Sequence, residues 1–198
     1  MTSFLNLVQQ RRSRYALSDK SPLTDEQLKN LLEETVKQAP SAFNSQSARV
    51  LLLLSKKHTQ FWQLVRGELQ KVVPAEKFAP TEEKIKSFAA AYGTILFFEA
   101  WPTVQKLQET FPAYKDNFPV WAYQANGMLE FMIWTALAEE GIGASLQHYN
   151  PLIDKAVEET FNVPADWKLV AQMPFGAPTA PAGEKDFLPL DERVRVLK

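Results

Sequence analysis

Residues 119–143 read PVWAYQANGMLEFMIWTALAEEGIG. After Pro119, the residues Trp121, Leu129, Met132, Ile133, Leu137 and Ala138 recur at helical spacing. Phe131 and Trp134 widen the apolar arc until it nearly encircles the helix. A helix of that kind, Val120 to Glu140, needs cover on most sides, so it is predicted to be a central helix or a subunit interface. Gly141 stands where a C-cap glycine belongs. Ile142 to His148 then reads as a strand.

Working outward toward the C-terminus, Asn150-Pro151 reads as an N-cap followed by proline at the first helical position, opening a helix through Thr160. Trp167 to Met173 is a predicted strand. Pro174 to Gly183, rich in proline and glycine, reads as an extended connector, and residues 184–198 as an arm. Toward the N-terminus, residues 103–117 read as a short helix and a loop. Thr94 to Phe98 is a strand, and Thr81 to Tyr92 and residues 58–71 are helices. Arg49 to Leu54 is a buried strand, and Ala39 to Ser47 is a loop. Thr24 with Gln27 forms a capping-box pattern before a helix whose buried stripe is Leu28, Leu31, Leu32 and Val36. Residues 2–10 form a short helix with Phe4, Leu7 and Val8 on one face. The count is about six helices and four strands, intermingled along the chain, so the expectation is one domain over residues 1–198 of α+β class.

Composition removes many designs. Over 198 residues, 22 Lys and Arg balance 23 Asp and Glu, so no basic field exists to hold nucleic acid. The absence of cysteine excludes thiol redox chemistry and thiolate metal sites. Two separate histidines, His58 and His148, exclude a His-rich metal site, and no metal ligand set is expected. Only 7 glycines occur, in no phosphate-loop pattern, so a bound phosphate must be held by side chains. Gln9 to Arg14 interrupts any secretory apolar core, and no run approaches the ~20 apolar residues of a membrane span. A cytoplasmic protein without a membrane partner is expected.

Several stretches carry polar chemistry. Arg11-Arg12-Ser13-Arg14 groups three guanidiniums with a hydroxyl, suited to phosphate, although a short charge run is more often a solvated turn. Ser41, Asn44 and Gln46 present donors and acceptors that suit the edge of a heteroaromatic ring. Leu146, Gln147 and His148 lie at a strand end before a helix, a common place for ligands in α/β folds. Lys185 is a lone lysine in the connector. His58 reads as a helix cap or surface residue with no role. No nucleophile–base pair stands out.

Taken in order, these segments resemble the flavin-dependent nitroreductase family over nearly the whole chain. Arg11-Arg12-Ser13 is similar to its R-R-S signature after the first helix. Pro40-Ser41-Ala42-Phe43-Asn44-Ser45-Gln46 resembles its P-S-x-x-N-x-Q loop, with Ser47 and Ala48 where proline and tryptophan usually follow. Thr94 to Phe98 resembles its central strand, Gly141-Ile142-Gly143-Ala144-Ser145 its G-x-x-A-[ST] turn, and Pro174-Phe175-Gly176-Ala177-Pro178 its late strand ending in G-x-P. Arg14-Tyr15-Ala16-Leu17 and Leu190-Asp191-Glu192-Arg193-Val194 resemble the compact branch of stress- and metal-inducible nitroreductases.

The resemblance implies a three-layer fold with a mixed, mainly antiparallel sheet of four to five strands flanked by helices, in a domain-exchanged homodimer. It implies FMN as cofactor and NADH or NADPH as donor. Hydride would pass in two stages through flavin N5 to a nitroaromatic or quinone acceptor. Arg11, Arg12, Ser13 and Lys185 would meet the phosphate. Ser41, Asn44 and Gln46 would reach the flavin from the partner subunit, and Leu146, Gln147 and His148 would lie along its ring. Phe187 stands where the family often has arginine, leaving Arg195, Arg193 or Arg14 as replacements. His148 stands where it commonly has glutamate. Phe43, Phe111, Tyr114 and Phe118 are candidates to stack an aromatic acceptor, against the commoner fate of core packing. The alternatives are a flavin-binding regulatory or storage protein, or a different flavin reductase or dehydrogenase on the same fold.

Overall fold

A computed structural model describes residues 3–198. Thr2, the first residue of the expected opening helix, lies outside the described residues. The elements in order are α1 (Phe4–Gln10), β1 (Leu17–Ser18), α2 (Asp25–Gln38), β2 (Ala48–Leu54), α3 (Ser55–Gln70) and α4 (Phe78–Ala89). Then come β3 (Gly93–Ala100), α5 (Trp101–Thr110), α6 (Asn117–Glu139), β4 (Gly143–Ala144), α7 (Asp154–Phe161) and β5 (Trp167–Pro178).

The sheet runs β1-β5-β3-β2, with β4 pairing separately with β5. Its strand pairs are antiparallel, and one isolated parallel bridge joins Ser13 to Ala144. β3 is buried along its whole length because it pairs on both edges and carries apolar residues on both faces. Ile95 and Phe97 pack with Leu28 and Leu32 of α2 and Leu129, Ile133 and Leu137 of α6. Leu96 and Phe98 face the other way, onto Phe61, Trp62 and Val65 of α3, Ile85 and Phe88 of α4, and Val157 of α7. Helices therefore cover both faces of the sheet, and the expected three-layer α+β architecture is the one observed.

The long helix ends as its sequence dictates. Gly141 takes φ +74, its N–H donates to Ala138 O at 3.1 Å, and Ile142 N–H reaches back to Leu137 O at 2.9 Å. That pair of bonds is a Schellman cap, sealed by contact of Ile142 with Leu137 in the core. The helix buries one broad face and leaves Val120, Tyr123 and Met128 exposed.

Other expectations need correction. Ile142 to His148 is a strand only at Gly143–Ala144. The Asn150-Pro151 helix start is a turn; the helix begins at Asp154, after Ile153 has buried itself in the second core cluster. Pro174 does not open a connector, because β5 continues to Pro178. Phe175 is buried there, and Ser145 N–H supplies a donor to Pro174 O at 3.3 Å. The short helix expected within residues 103–117 does form, starting two residues earlier as Trp101–Thr110 with proline in its first turn. His58 is buried. Val36 is exposed rather than part of the buried stripe.

Candidate functional site

The basic turn is built against β4. Arg14 N–H donates to Ala144 O at 2.9 Å, holding the turn to the strand. Gly143 lets the turn pack closely, since a Cβ there would meet Leu17 Cδ2 at 2.9 Å and Arg14 Cβ at 3.0 Å and push those side chains aside. Two of the guanidiniums tether the later chain: Arg12 Nη2 donates to Gly183 O at 2.8 Å, and Arg14 Nη1 to Ala180 O at 3.2 Å. Lys185, two residues beyond Gly183, is thereby brought to the same end of the molecule. Its ammonium stands 5.1 Å from the ring of Phe187. The turn is half-buried, not the solvated run that composition favours.

Arg11 differs from its neighbours. Its guanidinium lies 4.5 Å from the Trp134 ring centroid, and its Nε is buried without a hydrogen-bond partner. Burial, then the charge of Arg12, pulls its pKa below the usual arginine value. A buried donor with no acceptor is costly. An anion against this turn would offset the guanidinium repulsion and suits a side chain whose donor the protein leaves unmet, so the residues present fit a phosphate group.

Beyond β4 the chain runs along β5. Gln147 N–H donates to Gln172 O at 2.7 Å, and Gln172 N–H returns a bond to Gln147 O at 2.9 Å. The Gln147 amide turns inward and donates to Ser145 Oγ at 3.1 Å. Leu146 is half-buried, and His148 is exposed. Along this edge His148 therefore offers the accessible ring nitrogen, while the Gln147 side chain braces the turn.

The loop carrying Ser41, Asn44 and Gln46 lies elsewhere. It feeds β2, whose Ala48 pairs with Glu99, whereas the basic turn sits by Phe175, which pairs with Gly93 at the other end of β3. Six residues of strand, roughly 20 Å, separate these ends. One chain thus brings together Arg11, Arg12, Ser13 and the segment leading to Lys185, and separately Ser41, Asn44 and Gln46. Ser41 and Gln46 border a cavity of about 550 Å³ with Val36, Arg49, Val50 and Leu129. Arg195 lies in the exposed arm.

The four candidate stacking aromatics meet at one corner with Trp121. Phe43 lies 4.8 Å from Phe111, 5.5 Å from Phe118 and 6.2 Å from Tyr114. Phe118 is core, while Phe43, Phe111 and Tyr114 present exposed edges.

Sequence reasoning passed over two buried carboxyl groups, Glu99 and Glu130, and placed the buried His58 at the surface. Glu99 is fully buried beside Asn126, and burial raises its pKa above the usual carboxylate value. Glu130 is buried on α6, and burial pushes its pKa up to about 7. His58 Nε2 faces the Ala89 carbonyl at 3.1 Å, which can only accept. Its Nδ1 therefore accepts from Thr94 Oγ1 at 2.8 Å, and Thr94 in turn accepts from Trp62 Nε1 at 2.9 Å. The signal for the first two was visible: Asn126 and Glu130 interrupt an otherwise apolar helix, and Glu99 an apolar strand.

Comparison with known proteins follows the same lines. The sequence profile described as the Nitroreductase family matches residues 8–177. FRM2, a nitroreductase of Saccharomyces cerevisiae, is 32% identical over 188 residues, covering 94% of this chain and 93% of that protein. HBN1 of the same yeast is 32% identical over 196 residues, covering 98% and 97%. Among solved structures, the nitroreductase CinD from Lactococcus lactis in complex with chloramphenicol superposes with a TM-score of 0.91 at 44% identity, covering 99% of this chain and 100% of that one. CinD in complex with 4-nitrophenol gives 0.90 at 45% identity, with the same coverage. The likeness runs from the basic turn to the last strand, and the chain belongs to the nitroreductase family of oxidoreductases.

Proposed function

We propose that the protein is an FMN-dependent NAD(P)H oxidoreductase that reduces nitroaromatics, quinones or both. The observation that carries this reading is the buried, unpartnered Nε of Arg11 in a half-buried basic turn. Arg11, Arg12 and Ser13, with Lys185, would hold the FMN phosphate, and Leu146, Gln147 and His148 would border the ring. When bound, FMN supplies hydride chemistry between a nicotinamide donor and the acceptor. The protein would hold the phosphate by charge, cover the ring with Leu146 and with the Phe43 corner of the second copy, and offer a hydrogen-bonding nitrogen at His148. CinD structures hold chloramphenicol and 4-nitrophenol, which supports small nitroaromatics as acceptors here. A requirement for NAD(P)H fits a cytoplasmic setting.

The working form is a homodimer with one domain per chain, residues 1–198. Ser41, Asn44 and Gln46, some 20 Å along the strand from the basic turn, would serve the partner subunit's cofactor. The exposed residues Val120, Tyr123 and Met128 of α6 supply an apolar face for a second copy. The arm, with Phe187, Leu188, Leu190, Val194 and Val196 all exposed, would wrap that copy and bring Arg193 or Arg195 to it.

Steady-state turnover tests the activity. NADH- or NADPH-driven loss of 4-nitrophenol or a quinone is expected, and no turnover with either nucleotide contradicts it. Sedimentation tests assembly: a dimer is expected, and a folded monomer at micromolar concentration contradicts it.

A further inference from the structure

We propose that Phe43 is the residue that positions the Ser41–Gln46 loop: its ring, seated on the aromatic corner, fixes the backbone that presents Asn44 and Gln46. The inference rests on the flavin reading above only for what the loop contacts, not for how the loop is held.

Three residues of this loop sit in the left-handed region, Phe43 at φ 56, Asn44 at φ 51 and Gln46 at φ 50, and none is glycine. Side chains disfavour that conformation, so it persists only where the surroundings over-determine it. The loop's polar bonds are local. Asn44 N–H donates to Ser41 O at 3.0 Å, Ser45 N–H to Ala42 O at 3.1 Å, and Gln46 N–H to Ser41 Oγ at 3.0 Å. Arg49 Nη1 ties down the end of the loop by donating to Gln46 O at 2.7 Å.

The apolar anchor at the loop's apex is Phe43. Its ring is half-exposed, yet it lies within 4.8 to 6.4 Å of four other rings. It stacks over Trp121 at an interplanar angle of 24° and meets Phe118 edge-on. Phe118 is itself buried at the start of α6. The ring is thus seated on a rigid element from a left-handed Phe43, while Asn44 and Gln46 on the same loop are exposed. Phe111 and Tyr114, the exposed rims of the same corner, share this anchor with the loop. The acceptor side and the cofactor side of the proposed site are joined through one side chain.

Glycine separates ring from backbone. Phe43→Gly removes the ring while making φ 56 free of strain; Phe43→Ala removes the ring and keeps the strain. Phe43→Tyr keeps the ring. Phe111→Ala removes the nearest seat without touching the loop. The first readout is amide hydrogen exchange of residues 44–46 in cofactor-free protein. Exchange about ten-fold faster is expected in Phe43→Gly, Phe43→Ala and Phe111→Ala, with wild-type rates in Phe43→Tyr and unchanged protection in β3. The second readout is FMN affinity by titration. A loss of about ten-fold is expected in the glycine and alanine variants, because a disordered loop must be ordered on binding. Wild-type exchange at residues 44–46 in Phe43→Gly overturns the inference, since the backbone then holds itself. If wild-type protein takes up no FMN, the cofactor reading fails and the exchange result alone decides the anchor.

Discussion

Asn126 donates from Nδ2 to Glu99 Oε1 at 2.8 Å and, with its other hydrogen, to Phe98 O at 3.1 Å. Both side chains are fully buried, and the remaining oxygen of each, Glu99 Oε2 and Asn126 Oδ1, has no partner. Burial raises the Glu99 pKa, while the bond from Asn126, then Ser47 and the charge of Arg49, pull the other way. This buried pair joins α6 to the end of β3 next to Ser47, where the Ser41–Gln46 loop enters the sheet.

Glu99→Gln can still accept from Asn126 and carries no buried charge, so it should fold and be at least as stable as wild type at neutral pH. Glu99→Ala strands a buried amide and should cost roughly 1–3 kcal/mol. The folded pKa is raised, so the stability from the protonated form is complete below the unfolded value of 4.5 and is lost as pH rises through the folded value. Urea unfolding from pH 4 upward checks this. The Glu99→Gln curve should be flatter than wild type over that range.

Glu130 carries the same sign with a defined window. Its stabilising protonated form is complete below 4.5 and is lost as pH rises through about 7. Glu130→Gln should remove a titration near neutrality from the stability profile. A direct reading is the carboxyl stretch in difference infrared spectra, which should shift around pH 7 in wild type and be missing that step in the variant.

His58 acts in the opposite direction. Burial lowers its pKa from 6.5, the first cause, and the Ala89 carbonyl opposes this. The neutral ring is the one that can accept from Thr94, so stability is present above pH 6.5 and falls as pH drops toward the folded pKa. His58→Ala should cost roughly 1–3 kcal/mol, the price of leaving buried partners unmet. It should also flatten thermal melts measured between pH 7 and 5.

Arg11→Ala should weaken FMN binding by roughly 1–3 kcal/mol, the worth of a charged hydrogen bond. Arg11→Lys should recover only part of it, since an ammonium cannot lie flat on Trp134 and present a planar fork to phosphate together. Equilibrium dialysis with FMN distinguishes the three proteins.

How far the sequence could be read depended on whether a feature carries its own partner. The capping box at Thr24 and Gln27 needs only local spacing, and both its bonds form, at 2.9 and 3.2 Å. The long helix and its glycine cap were legible for the same reason. Burial of His58 was not, because its neighbours Lys56, Lys57 and Thr59 are polar and its partners Ala89 and Thr94 come from another helix and strand. The end of β5 was hidden by Pro174 and Pro178, residues that ordinarily punctuate loops. At the candidate site, charge alone could not separate a solvated turn from a half-buried one. The carbonyls that hold Arg12 and Arg14 lie at Gly183 and Ala180, at the other end of the chain.

The visible spectrum of the purified protein, before and after NADH or NADPH, tests the central claim most directly. The yellow absorption of oxidised flavin is expected, bleached by one of the nucleotides and restored by a nitroarene or quinone. A colourless protein that takes up no added FMN would contradict it.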